Sequence, residues 1–342
     1  MSAGPGKAGA APATGTRAAE GGSGGTPADG ALLRRAAFAV VGLALAAVPL
    51  AGDYATSLVA EVLVFAIFAM SLDLIVGYTG LMSFGHAAFF GLSAYAVTML
   101  GVHAGWSGWW GLLAGVVLST LAALVIGFFC IRVSGIPFLM LTMAFSQLLF
   151  SIAVKWRTMT GGTDGLTGFK RPSLFGWSLD DRATLYWLIA AGFVLVWWGL
   201  RRLIDSPLGS TMIGVRENEQ RMRAIGYPVQ RIKLISFTIA GGVAGFGGGL
   251  YAFFNAFVSS DILHWVLSGD VVLMVILGGA GTITGPVIGT AIFLMLKHVF
   301  SSATEYWMLW LGITFIACVM FMRQGVWGLV LQHGPKWLRD GK

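Results

Sequence analysis

The chain has 342 residues, of which 56% are hydrophobic and 11% are charged, and its formal net charge is +7. Soluble domains carry about 25% charged residues, so this composition leaves too little polar surface for a soluble globule. The basic residues are scattered over loops, which argues against a nucleic-acid-binding face. An all-α, polytopic membrane protein is therefore predicted.

The N-terminal segment, residues 1–31, is rich in Gly, Ala, Pro, Ser and Thr and contains almost no large apolar side chains. Such a segment cannot bury enough apolar surface to fold, so a disordered, low-complexity cytoplasmic tail is predicted. Its GPGKAG stretch, residues 4–9, fits a nucleotide-binding glycine pattern by chance, since no strand precedes it.

About ten transmembrane helices follow, because apolar segments of about 20 residues recur along the chain. The predicted spans are 34–52, 57–76, 84–102, 109–130, 136–154, 184–201, 234–257, 268–280, 284–300 and 307–322. They form a transmembrane domain over 32–325, followed by a C-terminal tail, 326–342. Most of the 22 basic residues fall on one side, which predicts that both termini are cytoplasmic. The 155–183 loop is then periplasmic and the 201–233 loop is cytoplasmic.

Two glycine-rich breaks interrupt this apolar pattern. Irregular backbone at membrane depth is tolerated only where protein or a water-filled cavity surrounds it. Paired interruptions in two parts of a chain are typical of a pathway at a repeat interface, whereas close helix packing is the alternative for each single glycine. The residues predicted to line a translocation pathway are Gly77, Gly80, Ser83, Gly85 and His86 in the first break, and Gly278, Gly279, Gly281 and Gly285 in the second.

A third glycine pattern, AGGVAGFGGGLYA at residues 240–252, repeats small residues every four positions. Gly241, Gly245 and Gly249 lie on one face of a helix in this pattern. Small residues at this spacing let two helix backbones approach closely, so these glycines are predicted to pack against another helix. The sequence leaves open whether that helix belongs to this chain or to a second subunit.

The cytoplasmic loop 201–233 mixes apolar residues with dense charge. Asp205-Ser206-Pro207 is typical of a helix start, and Gly226 and Pro228 end any helix, so two short helices are predicted. An apolar strip with a charged rim favours insertion into a groove of another protein. The candidate docking residues are Gly209, Arg216, Glu217, Glu219, Arg221 and Gly226.

Ionisable residues within spans are functional candidates by default. Glu61 and Asp73 lie near the ends of the second span, where interfacial placement or structural ion pairs explain them equally well. The histidines are too far apart for a metal site. The sequence has no G-x-x-x-x-G-K-[ST] motif and no nucleophile–base pattern, so ATP-driven transport would need a separate motor subunit.

Several stretches, in the same order, resemble the LivM-type permeases of bacterial ATP-binding-cassette (ABC) importers for branched-chain amino acids. They are GYTGLMSFGHAAFFGLSAY, TGGTDGLTG (160–168), SPLGSTMIGVRENEQRMRAIGYPVQRIKLISF (206–237), AGFGGGLYAF and LGGAGTITGPVIGT. The resemblance runs from about residue 57 to the end. In the docking segment QRMRAIG replaces the common EAA-x₃-G form.

The resemblance implies a transporter subunit that is not an enzyme and has no cofactor of its own. Its expected partners are a second, LivH-like permease, two cytoplasmic ABC ATPases that bind ATP and Mg, and a periplasmic amino-acid-binding protein. The expected location is the bacterial inner membrane, surrounded by membrane lipid, with no nucleic acid involved. The substrates would be Leu, Ile and Val or similar small amino acids. Urea or short amides are an alternative, as are an ion-coupled secondary transporter using Glu61 or Asp73 and a scaffold without a pathway.

Overall fold

The computed structural model describes residues 47–174, 177–321 and 325–328, together with residues 42 and 45. The predicted tail, 1–31, and most of the first predicted span lie outside these residues, as does most of the C-terminal tail. The longer helices are α1 (Asp53–Val76), α2 (His86–His103), α3 (Gly108–Cys130), α4 (Ile136–Lys155), α6 (Arg182–Ile204), α9 (Val229–Asn255), α10 (Trp265–Gly278), α11 (Thr284–Ala303) and α12 (Trp307–Phe321). Short helices are α5 (Arg157–Thr160), α7 (Pro207–Glu217) and α8 (Glu219–Ala224), and 3₁₀ turns cover Val48–Ala51 and Ser260–Leu263.

Helix α1 forms the centre of the molecule. Its most apolar 18-residue window is 83% buried, and it contacts α6, α9, α10 and α11. Phe65, Phe68 and Ile67 belong to the hydrophobic core at this helix. A helix that is apolar on every side becomes a core element rather than a surface element, which explains this central position.

Helices α2, α3 and α9 pack tightly on one another, and α9 also packs on α1. The aromatic rings of Phe68 and Phe90 stack with their centroids 4.5 Å apart, and Phe89 meets Phe237 edge to face at 5.5 Å. Such aromatic pairs add to the burial of apolar area and fix the relative positions of α1, α2 and α9.

The outer helices expose apolar side chains, as expected of a protein in lipid. Only 22% of the apolar window of α4 is buried, and Ile136 and Met140 of this helix are largely exposed. Within the described residues, six helices are long and apolar enough to cross a membrane, namely α1, α3, α4, α6, α9 and α11. Helix α10 has 14 residues and spans roughly 21 Å, less than the hydrocarbon core of about 30 Å.

The loop between α5 and α6 is tied to the end of α9. Leu166 and Val258 form an antiparallel bridge, and the Arg171 guanidinium donates to the carbonyls of Phe253 and Phe254 at 2.7 and 2.8 Å. A two-stranded hairpin, β1 (Ser173–Leu174) with β2 (Trp177–Ser178), is the small non-helical element here. These contacts give the loop a fixed position over one end of the bundle.

The predicted polytopic all-α fold is confirmed, while the count of ten helices stays a prediction. The nine spans from 57 onward coincide with α1 to α4, α6 and α9 to α12, with shifted boundaries. The largest shift is at α9, which begins at Val229 rather than at 234, while α6 continues to Ile204. The predicted 201–233 loop is shorter for this reason, since α6 and α9 extend into it.

Candidate functional site at the two glycine breaks

The first break begins where α1 ends at Val76 and finishes where α2 begins at His86. The amides of Gly77 and Tyr78 donate to the carbonyl of Asp73 at 2.7 and 3.3 Å, so the last turn of α1 is closed by its own chain. Gly80 is exposed and has a φ of +77°, a conformation that an L side chain rarely adopts. The chain therefore turns sharply at Gly80.

Side-chain hydroxyl groups accept backbone amides at the N-terminus of α2. The first amides of a helix have no partner within the helix. Here the Phe84 amide donates to Thr142 of α4 at 3.3 Å, and the Ala87 amide donates to Ser268 of α10 at 2.8 Å. The Gly85 amide donates to the fully buried Ser83 hydroxyl at 3.2 Å. These three backbone donors are thereby paired at a depth where an unpaired donor is costly.

His86 is a fully buried side chain in an aromatic cluster. Its Nε2 lies 2.9 Å from the Ser71 hydroxyl, and its ring stacks on Phe68 with a centroid distance of 5.7 Å. Phe89 meets it edge to face at the same distance. His86 therefore fixes α2 against α1 in this structure.

The second break joins α10 to α11 and is also very compact. Gly279 and Gly281 have φ values of +109° and +82°, so both adopt backbone conformations that favour glycine. Thr282 donates to the Gly279 carbonyl at 2.8 Å and accepts the Gly285 amide at 3.1 Å. A methyl group on Gly278 would overlap the Gly285 carbonyl, so α10 and α11 approach each other at backbone distance.

The two breaks touch each other at the end of α1. The Gly281 amide donates to Asp73 Oδ1 at 2.8 Å, although the two residues are 208 positions apart in sequence. A Cβ on Gly77 would lie 2.7 Å from Gly281 Cα. The side chain of Asp73 is buried, and its Oδ2 atom has no hydrogen-bond partner within the described ranges. The predicted pair of breaks is therefore one contiguous structure.

The segment between α6 and α9 contains two short helices, as predicted. Ser206 accepts from the Gly209 amide at 3.5 Å to cap α7, and Pro207 begins that helix. Asn218 accepts from the Arg221 amide at 2.9 Å to cap α8. A Cβ on Gly209 would overlap the Ile204 carbonyl, so α7 can follow α6 closely only with glycine at this position.

The apolar strip predicted for this segment is divided between two surfaces. Met212 and Val215 are buried inside the chain, where α7 packs against α6 and α9. Ile225 and Tyr227, which follow α8, are 64% and 44% exposed. Helix α7 is therefore anchored to the bundle, whereas the end of α8 presents apolar surface to its surroundings.

The charged docking candidates also separate into two groups. Glu217, Arg221 and Gly226 are exposed, and Gly226 turns the chain towards α9 with a φ of +91°. Arg216 is also exposed overall, but its Nη1 donates to the carbonyl of Gly77 in the first break. A Cβ on Gly281 would lie 2.8 Å from the same nitrogen. Arg216 thus links α7 directly to both breaks.

Glu219 ties α8 to the start of α9. It accepts from Lys233 at 2.7 Å and from Arg223 at 2.6 Å. Partial burial raises the pKa of the Glu219 carboxyl, but the two charged hydrogen bonds outweigh this effect and lower the pKa below its ordinary value. Lys233 is itself only 5% exposed, so this pair is partly shielded from solvent.

The comparisons with known proteins agree on one family. The family described as "Branched-chain amino acid transport system / permease component" matches residues 54–319. This chain belongs to that family. It is a multi-pass membrane protein and one component of a transport system, not an enzyme.

Three relatives of this permease family are informative. LivM of Escherichia coli, a high-affinity branched-chain amino acid transport permease, is 27% identical over 323 residues, which cover 87% of this chain and 76% of the relative. LivM of Salmonella typhimurium is 28% identical over 288 residues, covering 77% and 68%. A probable LivM protein of Methanocaldococcus jannaschii is 26% identical over 141 residues, covering 39% of each chain. No solved structure matches this chain.

In this permease, the glycines at four-residue spacing in α9 contact a helix of the same chain. A Cβ on Gly241 would overlap Ala123, one on Gly245 would lie 2.5 Å from Ser119 Cβ, and one on Gly249 would overlap a methyl group of Leu112. All three of these neighbours belong to α3. The helix that packs against these glycines is therefore α3 of the same chain.

Sequence reasoning missed the hydroxyls that close the first break and undervalued Asp73. Thr142 lies within the apolar helix α4 and Ser268 lies in the first turn of the apolar helix α10, both far from the break in sequence. Their only sequence signal is a hydroxyl group within an apolar helix, which could have marked a contact to irregular backbone. Asp73 carried the stronger signal of a carboxylate within a span. Within the described part of the chain, no group of three or more His, Cys, Asp or Glu side chains could hold a metal ion.

Proposed function

We propose that the chain is the membrane permease of an ABC importer that moves Leu, Ile and Val, or similar small amino acids, inward across the bacterial cytoplasmic membrane. The observation that carries this proposal is the position of α7. This helix is anchored to α6 and α9 through Met212 and Val215, and it reaches both breaks through Arg216. A partner that displaced α7 and α8 would act directly on the two breaks.

The partners we propose are a second, LivH-like permease, two cytoplasmic ATPases and a periplasmic binding protein. ATP and Mg would be bound by the ATPases. The exposed end of α8, with Ile225 and Tyr227, offers an apolar surface that a groove in an ATPase could cover. The exposed apolar faces of α4 and α12 are available to lipid and to the second permease. Both termini are proposed to be cytoplasmic, on the side of α7 and α8.

The two breaks are proposed to border the translocation pathway. Gly80 is exposed and Gly281 is partly exposed, whereas Ser83 is fully buried in this conformation. Cysteine at these three positions should react with a water-soluble maleimide more strongly when the importer is turning over ATP, above all at Ser83. Absence of labelling from water at all three positions would instead favour a scaffold without a pathway.

The decisive test is uptake in proteoliposomes that contain the complete importer. Labelled leucine should accumulate when ATP is enclosed on the ATPase side and the binding protein is supplied on the other side. Labelled urea should not accumulate under the same conditions. Uptake of urea or a short amide in place of leucine would assign the chain to the alternative substrate class.

Proteoliposomes also distinguish an ion-coupled transporter from an ATP-driven importer. This chain alone, reconstituted with a proton or sodium gradient and without an ATPase, should show no leucine uptake. Asp73 is engaged by Gly281 rather than open to a channel, and Glu61 is only partly buried. Gradient-driven uptake that is lost in Glu61→Gln would overturn the proposal of ATP-driven import.

A further inference from the structure

Four residues from four segments meet at the C-terminal end of α1. They are Asp73 in α1, Gly77 in the first break, Gly281 in the second break and Arg216 in α7, and together they are named the α1 junction. Asp73 Oδ1 accepts the Gly281 amide at 2.8 Å, and Arg216 Nη1 donates to the Gly77 carbonyl. Asp73 therefore holds one break and Arg216 holds the other.

The two side chains of the junction meet at the Gly281 backbone. The Gly281 amide donates to Asp73 Oδ1, and the Nη1 atom of Arg216 lies against the Gly281 backbone. A buried carboxyl group loses its hydration, so its position is held by the donors that remain near it. Displacing Gly281 therefore affects both side chains.

The glycines make this arrangement stiff. A Cβ on Gly77 would overlap Asp73 Oδ1 and the Gly281 amide nitrogen, and one on Gly80 would lie 3.0 Å from the Arg216 side chain. The segments are thus in contact without side chains between them. Tightly packed contacts transmit a displacement because they cannot be compressed.

We infer that Asp73 and Arg216 are the positioning residues that couple α7 to both breaks, an inference that rests on the proposed function. When α7 is displaced, Arg216 carries the Gly77 carbonyl with it, and Asp73 transfers the movement to Gly281. The first break and the second break therefore move together rather than independently. Asp73 acts here as a mechanical connection and not as an ion relay.

The test uses matched variants in the complete importer, assembled with its second permease and ATPases. Asp73→Leu removes the acceptor, and Arg216→Met removes the donor but keeps an unbranched apolar stem. Asp73→Asn and Arg216→Lys are the conservative variants, since each retains part of the hydrogen-bonding capacity. Arg231→Met, at an exposed position at the start of α9, is the control for loss of a basic residue on the same side.

We expect Asp73→Leu and Arg216→Met to lower leucine uptake at least tenfold while ATP hydrolysis by the assembled complex stays within about twofold of the unmodified importer. The conservative variants should restore uptake in part, and Arg231→Met should leave it unchanged. The double variant Asp73→Leu/Arg216→Met should be no worse than the poorer single variant, because both interrupt one connection. Unchanged uptake in both single variants would overturn the inference.

A second measurement does not depend on transport. Spin labels at Met82 and Ser210, both exposed, report the distance between the first break and α7 in the purified chain. This distance should have a narrow distribution in the unmodified chain and in Arg231→Met, and a distribution at least twice as broad in Asp73→Leu and Arg216→Met. Equal widths in all of them would refute the connection even if the importer transports leucine. If the distance distributions have the expected widths but the unmodified importer does not take up leucine, only the proposed function is refuted.

Discussion

Gly77→Ala tests whether the two breaks depend on direct backbone contact. The φ of Gly77 is −80°, which alanine adopts without strain, so the cost of the added methyl group is steric. That group would overlap Asp73 Oδ1 and lie 2.7 Å from Gly281 Cα. Overpacking costs about 1–3 kcal/mol, and loss of the Gly281 hydrogen bond adds about 0.5–1.5 kcal/mol. The expected destabilisation is roughly 1.5–4.5 kcal/mol.

The assay is thermal unfolding of the purified protein in detergent, combined with leucine uptake by the importer. Gly269→Ala in α10 is the matched control, because the nearest atom to its added methyl group is Phe84 Cε1 at 3.5 Å, an ordinary contact. Gly77→Ala should lower the unfolding midpoint by several degrees and reduce uptake, while Gly269→Ala should do neither. Equal midpoints for the two variants would show that the breaks are not held by this contact.

Three further predictions concern helix packing and the short helices. Gly248→Ala should destabilise the chain by about 1–3 kcal/mol in the same unfolding assay, because its methyl group would overlap a backbone carbonyl of α2. Gly199→Ala is the control, because open space surrounds that position, and it should be neutral or stabilising by up to about 1 kcal/mol. The pKa of Glu219 is lower in the folded chain than in the unfolded chain, so its contribution to stability is complete above the unfolded pKa and is lost as pH falls through the folded pKa. The protection of the α8 amides, measured as exchange relative to the intrinsic rate at each pH, should fall on acidification in the unmodified chain, whereas Glu219→Gln should show weak protection at both pH values and little change. Ile225→Ser should reduce co-purification of the ATPases at least fivefold with an unchanged unfolding midpoint, and undiminished co-purification would place the docking surface elsewhere.

Local patterns predicted the spans well because apolar length is a property of each segment by itself. Helix α11 begins at Thr284 and α4 begins at Ile136, both as predicted. The start of α9 was misplaced by five residues, because Arg231 and Lys233 resembled loop residues. Lys233 is buried against Glu219 instead, a contact that hydropathy does not register.

The candidate site was only partly predictable for a related reason. The glycines marked both breaks, since glycine is the residue that accepts unusual backbone conformations and close approach. Nothing in the pattern indicated that the Thr142 and Ser268 hydroxyls accept backbone amides beside the first break, or that Arg216 contacts that break. Those contacts depend on which helices become neighbours.

The sequence by itself determined that this chain is a membrane protein, where most of its helices lie and where they are interrupted, because the transfer of apolar segments into lipid depends on local composition. The tertiary structure alone decided that the two breaks are one structure. Asp73 and Gly281 are 208 residues apart, and only the packing of α10 and α11 against α1 places the Gly281 amide 2.8 Å from a buried carboxyl group. Such a contact follows from the arrangement of helices, which no single segment encodes.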